Sequence, residues 1–388
     1  MRDGENRMFV GITNTPRDYA WGSRTAISSL LGREPSGGPE AELWLGTHPG
    51  SPSVVVDPSS AGGAATLDRV TTLPFLLKVL AADAPLSLQA HPNLEQAREG
   101  FERENAVGVP LDAPSRNYKD PLHKPELVYA LSEEYHALCG FRPVIATRAL
   151  LASVGSDPLV DDLLSRLVDD ASLPAVFEWI MTRGDGVDEL IERVVALAAS
   201  VSGLEFETVG ELAAAYPGDP GILISLLMNR VVLSRGEVLY LPAGNIHAYL
   251  RGLGIELMSA SDNVLRGGLT PKYVDVPELL SVLDFTPLPV PILAPEHPAP
   301  GVSVFRPDVP DFTLTVLLRG GTENEGDPTV LAFENDSIAL CLAGLLQFRT
   351  SSGGHTLARG EAAFVSADES PWTIDGDGML FVASGVRQ

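Results

Sequence analysis

Apolar and polar positions along this chain follow three rhythms. From 1 to 142 the apolar runs are of strand length and are broken by Gly and Pro, as in GGPEAELWLGTHPGSPSVVV. LPFLLKVLAADAPLSLQAHP predicts two buried strands joined at AADAP, and residues 93–105 predict a short polar helix with Asn93 as its N-cap. Between about 145 and 225 the period becomes helical. Val160, Leu163, Leu164, Leu167 and Val168 recur at one face, as do Leu190, Val194, Leu197 and Ala198, until Pro217 and Gly218 stop the pattern. Strands resume at GEVLYLPAGNIHAYL, and VDVPELLSVLDF predicts a short helix that Pro287 ends. Residues 286–310 are too rich in proline for a helix or a central strand and are read as an extended linker. Beyond it apolar and polar residues alternate again, with DGDG predicting a hairpin turn.

These rhythms give a mainly β protein with an α-helical insert. One β domain is expected from 1–142 together with 226–285, a helical domain from 143–225, a linker at 286–310 and a C-terminal β domain at 311–388. A length of 388 residues agrees with more than one core.

Charge narrows the partners. The net charge is −24, with only 27 Lys and Arg, which argues against nucleic acid and anionic membrane. An anionic small molecule is still admissible if those few cations are concentrated at its site. Apolar runs such as IALCLAGLL are too short to span a bilayer, and MRDGENRMFVGITN has no apolar leader segment. Cys139 and Cys341 stand far apart, outside any CxxC spacing, and are expected to be free buried thiols. A soluble cytoplasmic protein is the expectation.

Four segments carry candidate chemistry. In LSLQAHPN, Ser87, Gln89 and His91 alternate, so on a strand they share a face. In HKPELVYAL, Glu126 enters an apolar strand with Lys124 on the same face, and a buried carboxylate needs a cation or a metal. Gly236, Pro242, Gly244 and His247 fit G-x5-P-x-G-x2-H, which resembles the second motif of the cupin superfamily of small jelly-roll barrels. Arg251 stands where that motif continues with Asn. A similar frame at Gly360 has Ser366 and Pro371 in place of its proline and histidine, so the C-terminal domain resembles a second, degenerate jelly roll without metal ligands. A lone strand histidine is more often a hydrogen-bonded core residue than a ligand. Gln89, His91, Glu126 and His247 together, however, form a donor set that suits Zn2+ with an open position, and is also compatible with Mn2+ or Fe2+.

DYAWGS, AELWLGTHP, LPFLLKVL, QAHP, HKPE, PAGNIHAYL and IELMSASDNVLRGGLTPKYVDV closely resemble the motifs of type I mannose-6-phosphate isomerases, in the family's order, over residues 18–285. The resemblance implies cupin-type jelly-roll barrels and one zinc ion per chain, held by Gln89, His91, Glu126 and His247. It implies reversible interconversion of mannose 6-phosphate and fructose 6-phosphate through a cis-enediolate, with Ser87 helping to hold the phosphate or its water shell. Trp21 and Glu42 match pocket positions, and Tyr249 shares the face of His247. Lys78, Lys124, Arg266 and Lys272 fall inside the matching motifs and suit a dianionic phosphate, with Arg266 assigned to the enediolate or the phosphate.

The base is left open among Lys124, Lys78, His123, Glu256 and Asp262; His123 alternates away from Lys124, which shares the parity of Glu126. Asp262 and Asn263 would alternatively shape a turn. His48, His136, His297 and His355 lack a ligand-like context. Two rivals are an Fe(II) cupin oxygenase, which leaves Gln89 and the cations unexplained, and a non-catalytic sugar-binding cupin, which would be expected to lose a ligand or Arg266. The expected partner is a sugar phosphate, and the expected state a monomer.

Overall fold

One thirteen-residue strand, His247–Ser259, organises the half of the molecule that carries the candidate ligands. In the computed structural model, which describes residues 7–320 and 327–385, its first half pairs with Glu134–Phe141 and with Gln89–Ala90. Its second half pairs with Phe75–Ala82 and with Glu126–Ala130. The change of partners coincides with a register shift between Tyr249 and Arg251 and with Gly252 at φ +138°, where a Cβ would lie 2.6 Å from the Tyr135 ring. Glu42–Gly46, Val238–Leu241, Met228–Ser234 and Leu265–Arg266 complete a nine-stranded antiparallel sheet.

The second sheet has ten strands and is centred on Ser337–Arg349 and Trp372–Ser384. It runs from Glu296–Ala299 at one edge to Val54–Val55 at the other, and includes the first described strand, Phe9–Thr13, paired with Ala362–Val365. The segment read as a linker thus contains an edge hairpin, Glu296–Ala299 with Val302–Phe305, where Pro298 removes no central ladder bond.

The mainly β architecture with a helical insert agrees with the sequence, but the jelly-roll barrels do not. Neither sheet closes among the described residues; both end in free edges and branch. The cause lies in two of the three thirteen-residue strands, His247–Ser259 and Ser337–Arg349. Each is shared by different neighbours along its length and is shifted in register, at Tyr249/Arg251 and at Cys341/Ala343, so the sheet splays and does not return to its first strand. The expected DGDG turn is also corrected. Asp375 to Gly378 continue straight through Trp372–Ser384, paired with Gly344 to Gln347. Their glycines serve close approach instead: a Cβ on Gly376 would lie 2.4 Å from the Leu345 carbonyl oxygen.

Strand parity sorts the side chains. Phe75, Leu77, Val79 and Ala81, with Leu43, Leu45, Leu127, Ile255 and Leu257, meet Phe312, Leu314, Ile338, Leu340 and Phe364 of the other sheet in a shared core. The opposite parity puts Lys78, Glu42, Glu126 and Glu256 on the other face, beside a smaller cluster of Leu80, Val128, Tyr135, Leu239 and Tyr249. The helical insert buries Val160, Leu163, Phe177, Leu190 and Val194 against Leu138, Phe141, Ile246 and Leu250 of the sheet's first half. Its helix Pro158–Arg166 starts at Asp157, whose carboxylate accepts from the Leu159 and Val160 N–H groups, and stops before Val168, which is exposed.

Candidate metal centre and its cavity

His91, Glu126 and His247 come together at the join between the two halves of the first sheet, all buried, with ligating atoms within 4.8 Å of one another. Among the described residues this is the group of three or more His, Cys, Asp and Glu side chains placed to share a cation. His247 Nε2 lies 2.9 Å from Glu126 Oε1, and His91 Nε2 lies 3.5 Å from Glu126 Oε2.

Each imidazole is oriented from behind. His91 Nδ1 is 2.8 Å from the Asn263 carbonyl oxygen, and His247 Nδ1 is 3.0 Å from that of Asn245. A carbonyl only accepts, so each Nδ1 carries a proton and each Nε2 faces Glu126. Ligating histidines are held in this way. Burial, with Lys124 beside it, pulls the His91 imidazole down to about 4, which keeps it neutral. Glu126 goes well below the ordinary carboxylate value: burial pushes it up, but Lys124, His91 and His247 outweigh that. Gln89 is half-buried and stands across from His247 in register. The donor set fits a zinc ion, with two imidazoles, one carboxylate and a neighbouring amide.

Beside the cluster opens a cavity of about 980 Å3. Trp21, Glu42, Lys78, Ser87, Gln89, Lys124, Asp262, Arg266 and Lys272 all line it. Lys124 Nζ joins cavity and cluster, 2.6 Å from Glu126 Oε2 and 3.4 Å from His91 Nε2. Lys78 is buried 2.7 Å from Glu256 Oε2 and 3.9 Å from Glu42 Oε1. Burial pulls its ammonium down, yet Glu256 and Glu42 hold it above the ordinary lysine value. Arg266 Nη1 donates to Ser87 Oγ at 2.9 Å. Arg266, and then partial burial, lower the Lys272 ammonium, which sits exposed at the rim.

Three candidates lie elsewhere. The His123 ring is 2.8 Å from Asp311 Oδ2 and does not line the cavity. Glu256 is buried beneath it, on Lys78. Tyr249 is also buried, its hydroxyl donating at 3.4 Å to Glu126 Oε1, so it touches the cluster rather than the open space.

Other residues were missed by sequence reasoning. Trp44 lines the cavity and its Nε1 donates to Glu42 Oε2 at 2.7 Å; its two-residue spacing from Glu42 was an available signal. His48 is buried against the Trp44 ring, with Nε2 3.3 Å from Asp262 Oδ1. The segment 112–119 supplies one wall and has no periodic pattern to announce it. Buried Arg116 ties that wall together by donating to the Val109 and Tyr118 carbonyls and to Asn105 Oδ1, while Glu104 accepts from the Asn117 and Tyr118 N–H groups.

Comparison with known proteins agrees with this geometry. A family model for the catalytic domain of type I phosphomannose isomerase matches residues 9–144. Mannose-6-phosphate isomerase of Escherichia coli (strain K12) is 38% identical over 388 residues, spanning 95% of this chain and 97% of the relative. That of Homo sapiens is 33% identical, spanning 91% and 92%. Among solved structures, the Salmonella typhimurium mannose 6-phosphate isomerase bound to its substrate and to zinc superposes with a TM-score of 0.86 at 35% identity, over 98% of this chain and 100% of that one.

Proposed function

The chain belongs to the type I mannose-6-phosphate isomerases, and from that premise we infer how its own side chains divide the work. The activity is metal-dependent, zinc-assisted interconversion of mannose 6-phosphate and fructose 6-phosphate. The observation that carries the reading is the buried His91–Glu126–His247 cluster, both imidazoles oriented by backbone carbonyls, opening on a cavity where a strongly acidic chain gathers Lys78, Lys124, Arg266 and Lys272.

His91, Glu126 and His247, with Gln89 beside them, would hold the zinc. Bound there, the ion supplies Lewis-acid polarisation of the carbonyl and offsets the negative charge that develops on the neighbouring oxygens. Arg266 and Lys272, with Ser87, are placed to receive the phosphate dianion, for which a guanidinium fork and an ammonium are suited. Trp21 and Trp44 give the sugar apolar walls. Lys78 is held protonated and therefore serves as a fixed positive charge, not as a base. Proton transfer between C2 and C1 falls to a group that lines the cavity, which leaves Lys124 and Asp262 and omits His123 and Glu256. Asp262 is ionised, since His48, Lys124 and Lys78 outweigh the upward push of its partial burial, and its carboxylate lines the cavity with Lys78 and Lys124, where we assign it to the reacting end of the sugar.

One copy of the chain supplies cluster and cavity, and the reading is of a monomer divided into domains at the boundaries given above, except that Phe9–Thr13, Val54–Val55 and the hairpin at 296–305 of the linker segment join the C-terminal sheet. The cytoplasm is the proposed compartment, supported by two buried, unpaired thiols, Cys139 and Cys341. The test is turnover of mannose 6-phosphate to fructose 6-phosphate before chelation, after chelation and after zinc is restored. Loss and recovery support the assignment; no turnover by the zinc-loaded protein refutes it.

A further inference from the structure

Three buried imidazoles belong to the cluster or back the cavity wall, and one is wired oppositely to the other two. His91 and His247 each meet a carbonyl at Nδ1. His48 instead meets a donor there: the Gly50 backbone N–H gives its hydrogen bond to His48 Nδ1 at 3.1 Å. Nδ1 is therefore the acceptor and the ring proton sits on Nε2. That nitrogen points at Asp262 Oδ1, 3.3 Å away.

The rest of the setting is built to keep this geometry. The His48 ring is buried edge-to-face on Trp44, with centroids 5.0 Å apart. Gly50 lies so close that a Cβ there would come within 3.2 Å of His48 Nδ1 and 3.4 Å of the Trp44 ring. The backbone around Asp262 is clamped separately. Asp120 accepts from the Asp262 N–H at 2.9 Å and from the Ser261 hydroxyl at 2.8 Å, and Asn263 Nδ2 donates to the Asp120 and Leu122 carbonyls. With the main chain fixed, the freedom left to Asp262 is rotation of its side chain, and His48 holds that.

We propose that His48 is a positioning residue of the isomerisation: an imidazole, locked as an Nε2–H donor by Gly50, that fixes the Asp262 carboxylate on the cavity wall at the reacting end of the sugar. This rests on the assignment of Asp262 to the sugar made above. The carboxylate keeps Oδ2 and the remaining lone pairs of Oδ1 for the substrate, and its negative charge stays opposite Lys78 and Lys124. Without the donor, the half-exposed side chain rotates into solvent and meets the substrate in only a fraction of molecules.

The experiment compares His48→Leu, His48→Gln, Asp262→Asn and the double variant His48→Leu/Asp262→Asn, each zinc-loaded, in steady-state conversion of mannose 6-phosphate. A donated bond to a carboxylate predicts that His48→Leu loses about ten- to a hundredfold in kcat. KM should change little, and zinc content should stay as in the parent. His48→Gln, whose amide supplies an N–H near the position of Nε2, should recover most of that loss. The double variant should be no slower than Asp262→Asn, because two residues acting through one contact do not add. Equal losses in the Leu and Gln variants would show that ring packing matters and the donor does not, overturning the proposal. So would a change confined to KM, or additive losses in the double variant. Full activity in Asp262→Asn would remove the role of Asp262 itself, and the proposal with it.

Discussion

Lys78→Met isolates the energetics beneath the cavity floor. Lys78 is one buried cation between two carboxylates, 2.7 Å from Glu256 and 3.9 Å from Glu42. At an effective dielectric of about 20 the two attractions are worth roughly 6 and 4 kcal/mol. Little of that survives as net stability, because all three groups were taken out of water to make it. What the substitution leaves behind matters more: Glu256, buried and stripped of its counter-charge, a situation that costs about 3–5 kcal/mol. Burial already pushes the Glu256 carboxyl up, and loss of the lysine pushes it further. The folded variant then keeps a proton that the unfolded chain has released. Its stability is full below the ordinary carboxylate value and is lost as pH rises toward the raised one. The deficit relative to the parent should therefore be smaller at about pH 5 than at about pH 8. Lys78→Met/Glu256→Leu removes the orphaned charge and should recover at least about half of the loss. Urea unfolding followed by tryptophan fluorescence, at both pH values, measures all three proteins. A Lys78→Met deficit below about 1 kcal/mol, or a double variant no more stable than the single one, would refute the reasoning.

Tyr249→Phe should lower zinc affinity by about tenfold while leaving KM unchanged, because its hydroxyl supports Glu126 from outside the cavity; competition with a chelator reads the affinity. Gly100→Ala puts a Cβ 2.3 Å from the buried Tyr118 ring, so it should cost about 1–3 kcal/mol and raise KM as the 112–119 wall shifts. Gly210→Ala, in the exposed middle of the helix Leu204–Ala215 with nothing within 4 Å, should stabilise the protein by about 0.5–1 kcal/mol and leave kcat/KM untouched, as calorimetry and kinetics would record. Arg266→Lys removes a planar fork that also holds Ser87, and should raise KM for mannose 6-phosphate by about tenfold in steady-state kinetics while zinc content stays as in the parent.

What the sequence revealed and what it hid divide along a physical line. Parity along a strand is local, so Lys124 and Glu126 could be put on one face before any coordinates, and they meet at 2.6 Å. The helical insert was legible for the same reason, its period being written into Val160, Leu163, Leu190 and Val194. Sheet closure is not local. Whether His247–Ser259 curls into a barrel depends on which strands share each half, and no periodicity carries that. DGDG misled because glycine permits both a tight turn and the close approach of a neighbouring carbonyl, and only the partner strand decides between them. His48 was given no role because its orientation is set by one backbone N–H, on Gly50, which composition does not reveal.

The pairing of Phe9–Thr13 with Ala362–Val365 bears on how the chain is born. Met8 N–H reaches the Ser366 hydroxyl at 2.9 Å, a contact between residues 358 positions apart. As synthesis proceeds from the N-terminus, that strand can find Val54–Val55 on one side early, but its other edge waits until Ala362–Val365 has been made. At a ribosomal pace of about 5–20 residues per second the wait is roughly 20–70 s. For that interval an unpaired strand edge is open to any other nascent chain, the hazard that finished sheets are arranged to avoid. A stop codon anywhere before residue 362 would make the wait permanent, so loss of Ala362–Val365 should be felt at Phe9–Thr13.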